Sequence, residues 1–269
     1  MTSVHSLKGE AIGKIKLPEQ FNEEYRPDII KRAVLALQTH KIQPTAPMLH
    51  AGNFYSTYLS KRRHEYKSTY GSGRSRTPRT VVSRKGSRFN FRGAQVPQTV
   101  GGRVAHPPRI WKVIIEKIND KERKKAIRSA LMATTMKNVV LAHGHRIEKL
   151  KELPIVMENN IEDLSKTKDV KDVLMKLGLQ EELMRTKEKK IRPGKGKMRG
   201  RVYRKKVGPL FIVSKKCNLL HSAKNVAGVD AVDVKSLNAE LLAPGAKPGR
   251  LTIWSEAALK ELGEKKLFM

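Results

Sequence analysis

The chain has 269 residues, with 56 Lys or Arg against 25 Asp or Glu, a formal net charge of +31 and 39% hydrophobic residues. Its longest apolar run, Ala33 to Leu37, is five residues, where a membrane-spanning helix needs about 20, and Met1 to Lys8 lacks the apolar stretch of a signal peptide. Cys217 stands alone, which excludes an intrachain disulfide and an all-cysteine metal site and suits a reducing, intracellular setting. Positive charge in such excess repels itself across a compact surface unless a polyanion neutralises it. Nucleic acid is the first candidate and an anionic membrane surface the second.

In chain order, Gly9-Glu10-Ala11-Ile12-Gly13-Lys14 falls short of a phosphate-binding loop. Three residues separate its glycines where four are needed, and Ile15 replaces the required hydroxyl residue, so the segment reads as strand-forming. Asp28 precedes a helical pattern with Ile30, Val34 and Leu37 on one face. Asn119 begins another helix, with Glu122 three residues on as in a capping box, then Ala126, Ile127, Ala130 and Leu131. His143-Gly144-His145 offers two ligands without a near third and reads as a helix C-terminal cap rather than a metal site.

From residue 153 the order is regular. A strand over 153–157 leads to a helix bearing Val170, Val173, Leu174 and Leu177, stopped by Gly178. Leu210-Phe211-Ile212-Val213 is the continuous apolar run of a buried strand. A helix near 219–226, a strand over 229–234, a helix near 237–242 and a strand over 251–254 follow. The last helix takes Ser255 as N-cap and Gly263 as stop signal. Alternating strands and helices predict an α/β fold, a mainly parallel sheet flanked by helices, with a long extended basic loop inserted near the N-terminal third.

The expected organisation is a globular body over 1–40 and 111–269, an extended loop over 41–110, and a second basic segment over 185–206 within the body. Residues 41–110 hold 14 Lys or Arg and one acid, Glu65, while 185–206 hold 12 and one acid, Glu188. Outside these two segments the chain is close to balanced, 30 basic groups against 23 acidic, so most of the excess charge lies within them. Gly, Pro and Ser make up more than a quarter of the first segment, and no helical or strand apolar period runs through it. Yet it carries seven of the chain's 14 aromatic residues: Phe54, Tyr55, Tyr58, Tyr66, Tyr70, Phe89 and Phe91. A solvated linker would not be rich in aromatics, and a loop this long is functional when it occurs inside a compact domain.

Cations interleaved with aromatics suit RNA: Arg and Lys neutralise phosphates while rings and guanidinium planes stack on unpaired bases. Between Lys61 and Arg109 there are ten Arg and three Lys, and only Arg offers a planar bidentate fork to phosphate and base edges. The second segment alternates cations with spaced glycines, and Arg192, Lys195, Lys197, Arg199, Arg201 and Arg204 can track a phosphate backbone. The bland alternatives are a disordered basic insertion and a solvated charge run. Gly194-Lys195-Gly196 lacks the third glycine of a dinucleotide fingerprint and is not expected between a strand and a helix.

Catalysis finds no footing. Metal-dependent nuclease chemistry gathers carboxylates among cations, and the basic segments hold Glu65 and Glu188 alone. The acids of 158–163 and 169–188 read as helix starts and solvated faces. Cys217 reads as structural, and no Ser-His-Asp or Cys-His set stands out. The expectation is no enzyme, no small-molecule substrate and no cofactor, any structural magnesium being held through RNA.

Several segments together carry a resemblance. They are Ala126-Ile127-Arg128-Ser129-Ala130-Leu131-Met132-Ala133-Thr134-Thr135, Gly71-Ser72-Gly73-Arg74, and the run from Pro97-Gln98-Thr99-Val100-Gly101-Gly102-Arg103 through Val104-Ala105-His106-Pro107-Pro108. Asp163-Leu164-Ser165-Lys166-Thr167-Lys168 and Leu237-Asn238-Ala239-Glu240-Leu241-Leu242-Ala243-Pro244-Gly245 add to them. In this order, over about residues 5–262, the chain resembles the universal large-subunit ribosomal protein four family in its archaeal and eukaryotic form. The stop at Met269, without the long extension of eukaryotic members, points to the archaeal form.

The resemblance implies a cytoplasmic, ribosomal protein: an α/β body outside the large subunit and a loop threaded into its RNA. The loop tip, Gly71, Ser72, Gly73 and Arg74 with Arg76 and Arg79 beside it, would help form the peptide exit tunnel and meet the nascent peptide. Arg62, Arg63, Tyr70, Arg84, Lys85, Arg88, Phe89, Phe91, Arg92, Arg103 and Arg109 would contact ribosomal RNA along the way. Neighbouring large-subunit proteins are the other implied partners, and no membrane is. Half of the loop, fully extended, spans roughly 115 Å at about 3.3 Å per residue, so it could reach deep into an RNA particle. Two other classes compete with this: a nucleic-acid-processing enzyme using the loop as a substrate guide, and a charge-driven binder of DNA or anionic lipid.

Overall fold

The computed structural model describes residues 2–269. It divides into two units, Met1–Lys41 with Ile115–Met269, and Ile42–Ile114.

In the larger unit a hairpin of β1 (Thr2–His5) and β2 (Ala11–Ile15) leads to α1 (Pro27–Thr39). In the second unit a hairpin pairs β3 (Arg79–Lys85) with β4 (Arg88–Gly93). The larger unit resumes with α2 (Asp120–Thr135), α3 (Lys137–His143), β5 (Ile155–Met157), α4 (Thr167–Lys176) and α5 (Gln180–Lys187). Next come β6 (Lys189–Ile191), α6 (Lys195–Met198) and β7 (Tyr203–Lys205), then β8 (Leu210–Val213), α7 (Leu219–Lys224) and β9 (Asp230–Asp233). The chain finishes with α8 (Ala239–Leu242), β10 (Thr252–Ser255) and α9 (Glu256–Glu264). The main sheet runs β2-β1-β5-β10-β8-β9. Only the β1–β2 pair is antiparallel; β1–β5, β5–β10, β10–β8 and β8–β9 are parallel. This is the α/β architecture expected.

Strands β5, β8 and β10 are buried at every position because helices cover both faces of the sheet. Successive side chains point to opposite faces, so each short strand feeds two cores. Val156, Leu210, Ile212 and Trp254 pack with α1, α2, α8 and α9 on one side. Ile155, Met157, Phe211, Val213 and Ile253 pack with α4 and α7 on the other. Both cores lie wholly in the larger unit. Strand β2 is largely exposed, and its Lys14 charges the open edge, a common guard against pairing with another chain.

Several local expectations are corrected. Helix α1 begins at Pro27, and Asp28 lies in its first turn, gripping the Arg26 guanidinium at 2.7 Å. Asn119 stands at the start of α2 without capping it through its side chain. Glu122 forms no capping box; it pairs with Arg32 on α1 at 3.0 Å, so the helix–helix contact takes the side chain the cap would have used. Ser255 does cap α9, its hydroxyl accepting from Ala258 N at 3.2 Å. Gly263 falls inside that helix, not after it, and a Cβ there would meet Pro18 at 3.3 Å.

The acidic run is also more than helix starts and solvated faces. Glu162 is buried, accepting from Ser214 N at 2.8 Å, Ser214 Oγ at 2.9 Å and Ser255 Oγ at 2.6 Å. It ties the loop after β5 to the ends of β8 and β10. Gly194-Lys195-Gly196, too, lies after β6 and opens the one-turn helix α6. And residues 41–110 are not without strand structure, as the β3–β4 hairpin shows.

Candidate nucleic-acid interface

Hairpin β3–β4 organises the second unit. Its register runs from Arg79 opposite Gly93 to Lys85 opposite Arg88, with an irregularity between Val81 and Ser83. Along β4, Arg88, Asn90 and Arg92 are exposed while Phe89 and Phe91 are half-buried. The strict alternation Arg88-Phe89-Asn90-Phe91-Arg92, preceded by Gly86-Ser87, was the signal in the sequence: a period of two behind a turn. It is too short to stand out from a Gly-rich stretch.

Aromatic and cationic side chains of this unit meet one another. Tyr66 packs edge-on against Phe89 with centroids 5.3 Å apart, and Phe89 lies 5.9 Å from Phe91. Lys67 and Arg84 stand over the Phe89 ring at 5.7 and 5.5 Å, Arg76 over Tyr70 at 5.2 Å, and Arg109 over Trp111 at 5.0 Å. Each such pair is worth about 0.5–1 kcal/mol at an exposed site, so the rings hold the cations without immobilising them.

The predicted residues divide by what they already touch. Arg62, Arg63, Arg74, Lys85, Arg88 and Arg103 are exposed. Arg84 donates to Gly86 O at 2.8 Å and Arg92 to Val100 O at 3.1 Å, both from exposed positions. Arg79 is different: its guanidinium donates to Ser75 O at 2.5 Å and Ser75 Oγ at 2.7 Å, and its backbone pairs with Tyr58. It shapes residues 75–79. In 71–74, the segment expected at the loop tip, Gly71 and Gly73 both take positive φ, which glycine adopts without strain.

One supporting residue, Gln95, escaped the sequence reading, and Glu65 figured there only as a lone acid. Gln95 donates to Tyr55 O at 2.8 Å and accepts from Thr57 Oγ1 at 2.8 Å, pinning 53–57 to the far side of the hairpin. Glu65 is the one acid of the unit; the Ser60 hydroxyl, then Tyr58, bond to its carboxylate and hold it below the usual range. Where 52 crosses 102–103 there is no room for a side chain: a Cβ on Gly52 would lie 2.5 Å from Arg103 N.

In the second basic segment β6 and β7 place Lys189 opposite Lys205 and Lys190 opposite Arg204. Like charges directly opposite destabilise a strand pair, so this ribbon is built at an electrostatic cost that an anion would relieve. Lys195, Lys197, Arg199, Arg201 and Arg204 are exposed. Arg192 is half-buried, donating from its side chain to Arg201 O at 3.1 Å and from its backbone to Val202 O at 2.7 Å, and so closes the ribbon.

Not every cation is free for a partner. Arg185 donates to both carboxylate oxygens of the buried Glu182, at 2.8 and 2.6 Å, and to Val207 O at 2.6 Å. His145 Nδ1 lies 2.6 Å from Glu182, and its Nε2 accepts from Leu251 N at 3.2 Å; the ring proton therefore sits on Nδ1 and is donated to Glu182. Burial pushes the Glu182 carboxyl up, but the bonds from Arg185 and His145 outweigh it and bring it to about 2. Arg250 is buried with bonds to Gly208 O, Leu241 O and Asp230. Gly144, with φ of 103°, caps α3 as the His-Gly-His reading anticipated. Among the described residues no three His, Cys, Asp or Glu gather as a metal site, and no helix is long and apolar enough to cross a membrane.

Fold and charge thus define a strongly basic α/β protein with an aromatic- and arginine-rich inserted unit. The model of the ribosomal protein L4/L1 family matches residues 15–265. The chain is 48% identical over 266 residues to large ribosomal subunit protein uL4 of Nanoarchaeum equitans, covering 98% of each chain. It is 45% identical over 265 residues to the protein of that name from Methanosphaera stadtmanae, covering 97% of this chain and 96% of that one. It is 47% identical over 262 residues to the one from Archaeoglobus fulgidus, covering 97% of each. The chain belongs to the ribosomal protein L4/L1 family, in its archaeal form. Members are structural, non-enzymatic components of the cytoplasmic ribosome, which sets aside the reading as a processing enzyme.

Proposed function

We propose that this protein anchors itself in the large subunit by binding ribosomal RNA through its second unit and its β6–β7 ribbon, supporting subunit assembly. The observation that carries this reading is the exposed arginine set of residues 62–109, interleaved with rings that already hold cations over their faces. Arg62, Arg63, Arg74, Arg76, Arg84, Lys85, Arg88, Arg92, Arg103 and Arg109 bind RNA phosphates and base edges, and Tyr70, Phe89 and Phe91 back them. Lys195, Lys197, Arg199, Arg201 and Arg204 follow a second stretch of backbone, with Arg192 and Arg79 shaping the segments that present them. The turn Gly71-Ser72-Gly73-Arg74 lines the exit tunnel and meets the nascent peptide. Magnesium enters through the RNA, and neighbouring large-subunit proteins complete the surroundings.

The test is sedimentation of native cell extract on sucrose gradients in moderate and then high salt, with this chain followed by mass spectrometry. Stoichiometric migration with the large subunit that survives high salt is the expected result. Migration as a small free species, or release by modest salt, would overturn the reading. For the tunnel, a stalled nascent chain carrying a photoreactive residue should cross-link to residues 71–74.

A further inference from the structure

Residues 46–49 and 107–111, all in the second unit, enclose a groove of about 170 Å³. Its walls include Pro47, Met48, Leu49, Pro107 and Trp111, with Arg109 at the rim. Met48, Leu49, Ile110 and Trp111 are 67–79% exposed, a concentration of large apolar side chains that marks an interaction site rather than scattered surface residues. The segment from Ile42 to Ser60 contains no Lys, Arg, Asp or Glu at all, so charge pairing does not explain what lies against this wall.

The occupant is set by size and by the surrounding charge. At about 170 Å³ the groove falls below the roughly 300–1,000 Å³ of pockets for drug-sized ligands, which suits one planar ring system rather than a helix about 10–12 Å across. The unit that carries the groove is cationic, with 14 Lys or Arg in residues 42–114, Arg109 among them, against Glu65. Arg109 lies over the Trp111 ring at 5.0 Å, so the site offers a cation for a phosphate and a guanidinium–indole pair against which a ring can stack. Unpaired RNA bases are held in this way, stacked on aromatic rings next to a guanidinium. We infer that the groove between 46–49 and 107–111 receives a single unpaired nucleobase of RNA, stacked on Trp111, with its phosphate on Arg109. The inference rests on the RNA-binding reading above and adds to it a site that discriminates single-stranded from paired RNA.

The chain reports on this site by itself. Of its two tryptophans Trp254 is fully buried against Phe21, and Trp111 is exposed, so only Trp111 emission can respond directly to a bound base. The full chain is titrated with an unstructured oligouridylate and with an RNA duplex of equal phosphate count. The single strand should quench Trp111 emission and the duplex should not. Trp111→Ala should weaken single-strand binding about 5- to 150-fold, the usual cost of losing one base–aromatic stack, without changing the salt slope; Trp111→Phe should restore most of it. Arg109→Gln should lower that slope by about 0.7. If both RNAs bind and the emission does not move, or Trp111→Ala binds as the parent does, the groove is not a base site while RNA binding elsewhere stands. If neither RNA binds, the reading beneath it fails as well. In purified large subunits, ultraviolet cross-linking should attach a nucleotide to the Trp111 peptide; attachment of a peptide from a neighbouring protein instead would overturn the inference.

Discussion

At the scale of single residues, Glu182 decides more than its one charge suggests. It has no side-chain exposure, and it accepts from Arg185, from His145 and from Arg146 N. Removing one partner of a buried pair strands the other, so Glu182→Ala should cost about 3–5 kcal/mol, read as a lower urea midpoint with an unchanged slope. Acid acts on the same region. Glu182 is ordinarily a 4.5 carboxyl and is held at about 2 in the fold; its contribution is present above pH 4.5 and is lost as pH falls towards 2. His143, stacked on His145 at 5.0 Å, is lowered from 6.5 to about 4 by burial first and then by the nearby positive groups. A histidine kept neutral in the fold also loses stability as pH falls, here between 6.5 and 4. The two windows run in sequence, so stability should decline from pH 6.5 downward in two stages. His143→Gln should flatten the first stage and leave the second, checked by thermal unfolding across pH 3–7.

At the scale of elements, the β3–β4 hairpin lacks a core of its own. A lone two-stranded hairpin is marginal in water, and this one is helped by Tyr66, Phe89 and Phe91 and by the Gln95 clamp. Phe89→Ala should release Tyr66, Lys67 and Arg84 together, seen as faster amide exchange over 79–93 with no change over β5, β8 and β10. The body needs none of this, because both hydrophobic cores are drawn from the larger unit. Deleting residues 52–105 should therefore leave a folded, soluble protein with a cooperative unfolding transition that incorporates poorly into large subunits. A normal particle built with the deletion would contradict the assigned role of the second unit.

For the whole molecule, the sign and location of charge matter more than its total. Arg185 and Arg250 are used inside the body, while Arg88, Arg92 and the β6–β7 ribbon face outward. Affinity of the full chain for RNA should fall with a log–log salt slope of about −0.7 to −0.9 per neutralised phosphate. Neutralising Lys195, Lys197 and Arg199 together should reduce that slope by about 2–3 and leave thermal stability unchanged, since all three are exposed.

What the sequence by itself determined was whatever a local pattern carries. Leu210-Phe211-Ile212-Val213 announces a strand covered on both faces because both sets of alternating positions are apolar, and Ser255 caps a helix because the cap reaches only three residues. The separation of charge between body and segments needs only counting, and several motifs in fixed order carried the family resemblance. Tertiary structure alone decided which charges are spent internally. Glu162, Glu182, Arg185 and Arg250 look in sequence like any solvated acid or base, and their partners lie 3 to 93 residues away. Burial of an ion depends on groups brought together from distant segments. The same holds for the groove beneath Trp111: its two walls, 46–49 and 107–111, stand at opposite ends of the inserted unit and meet only once it has folded.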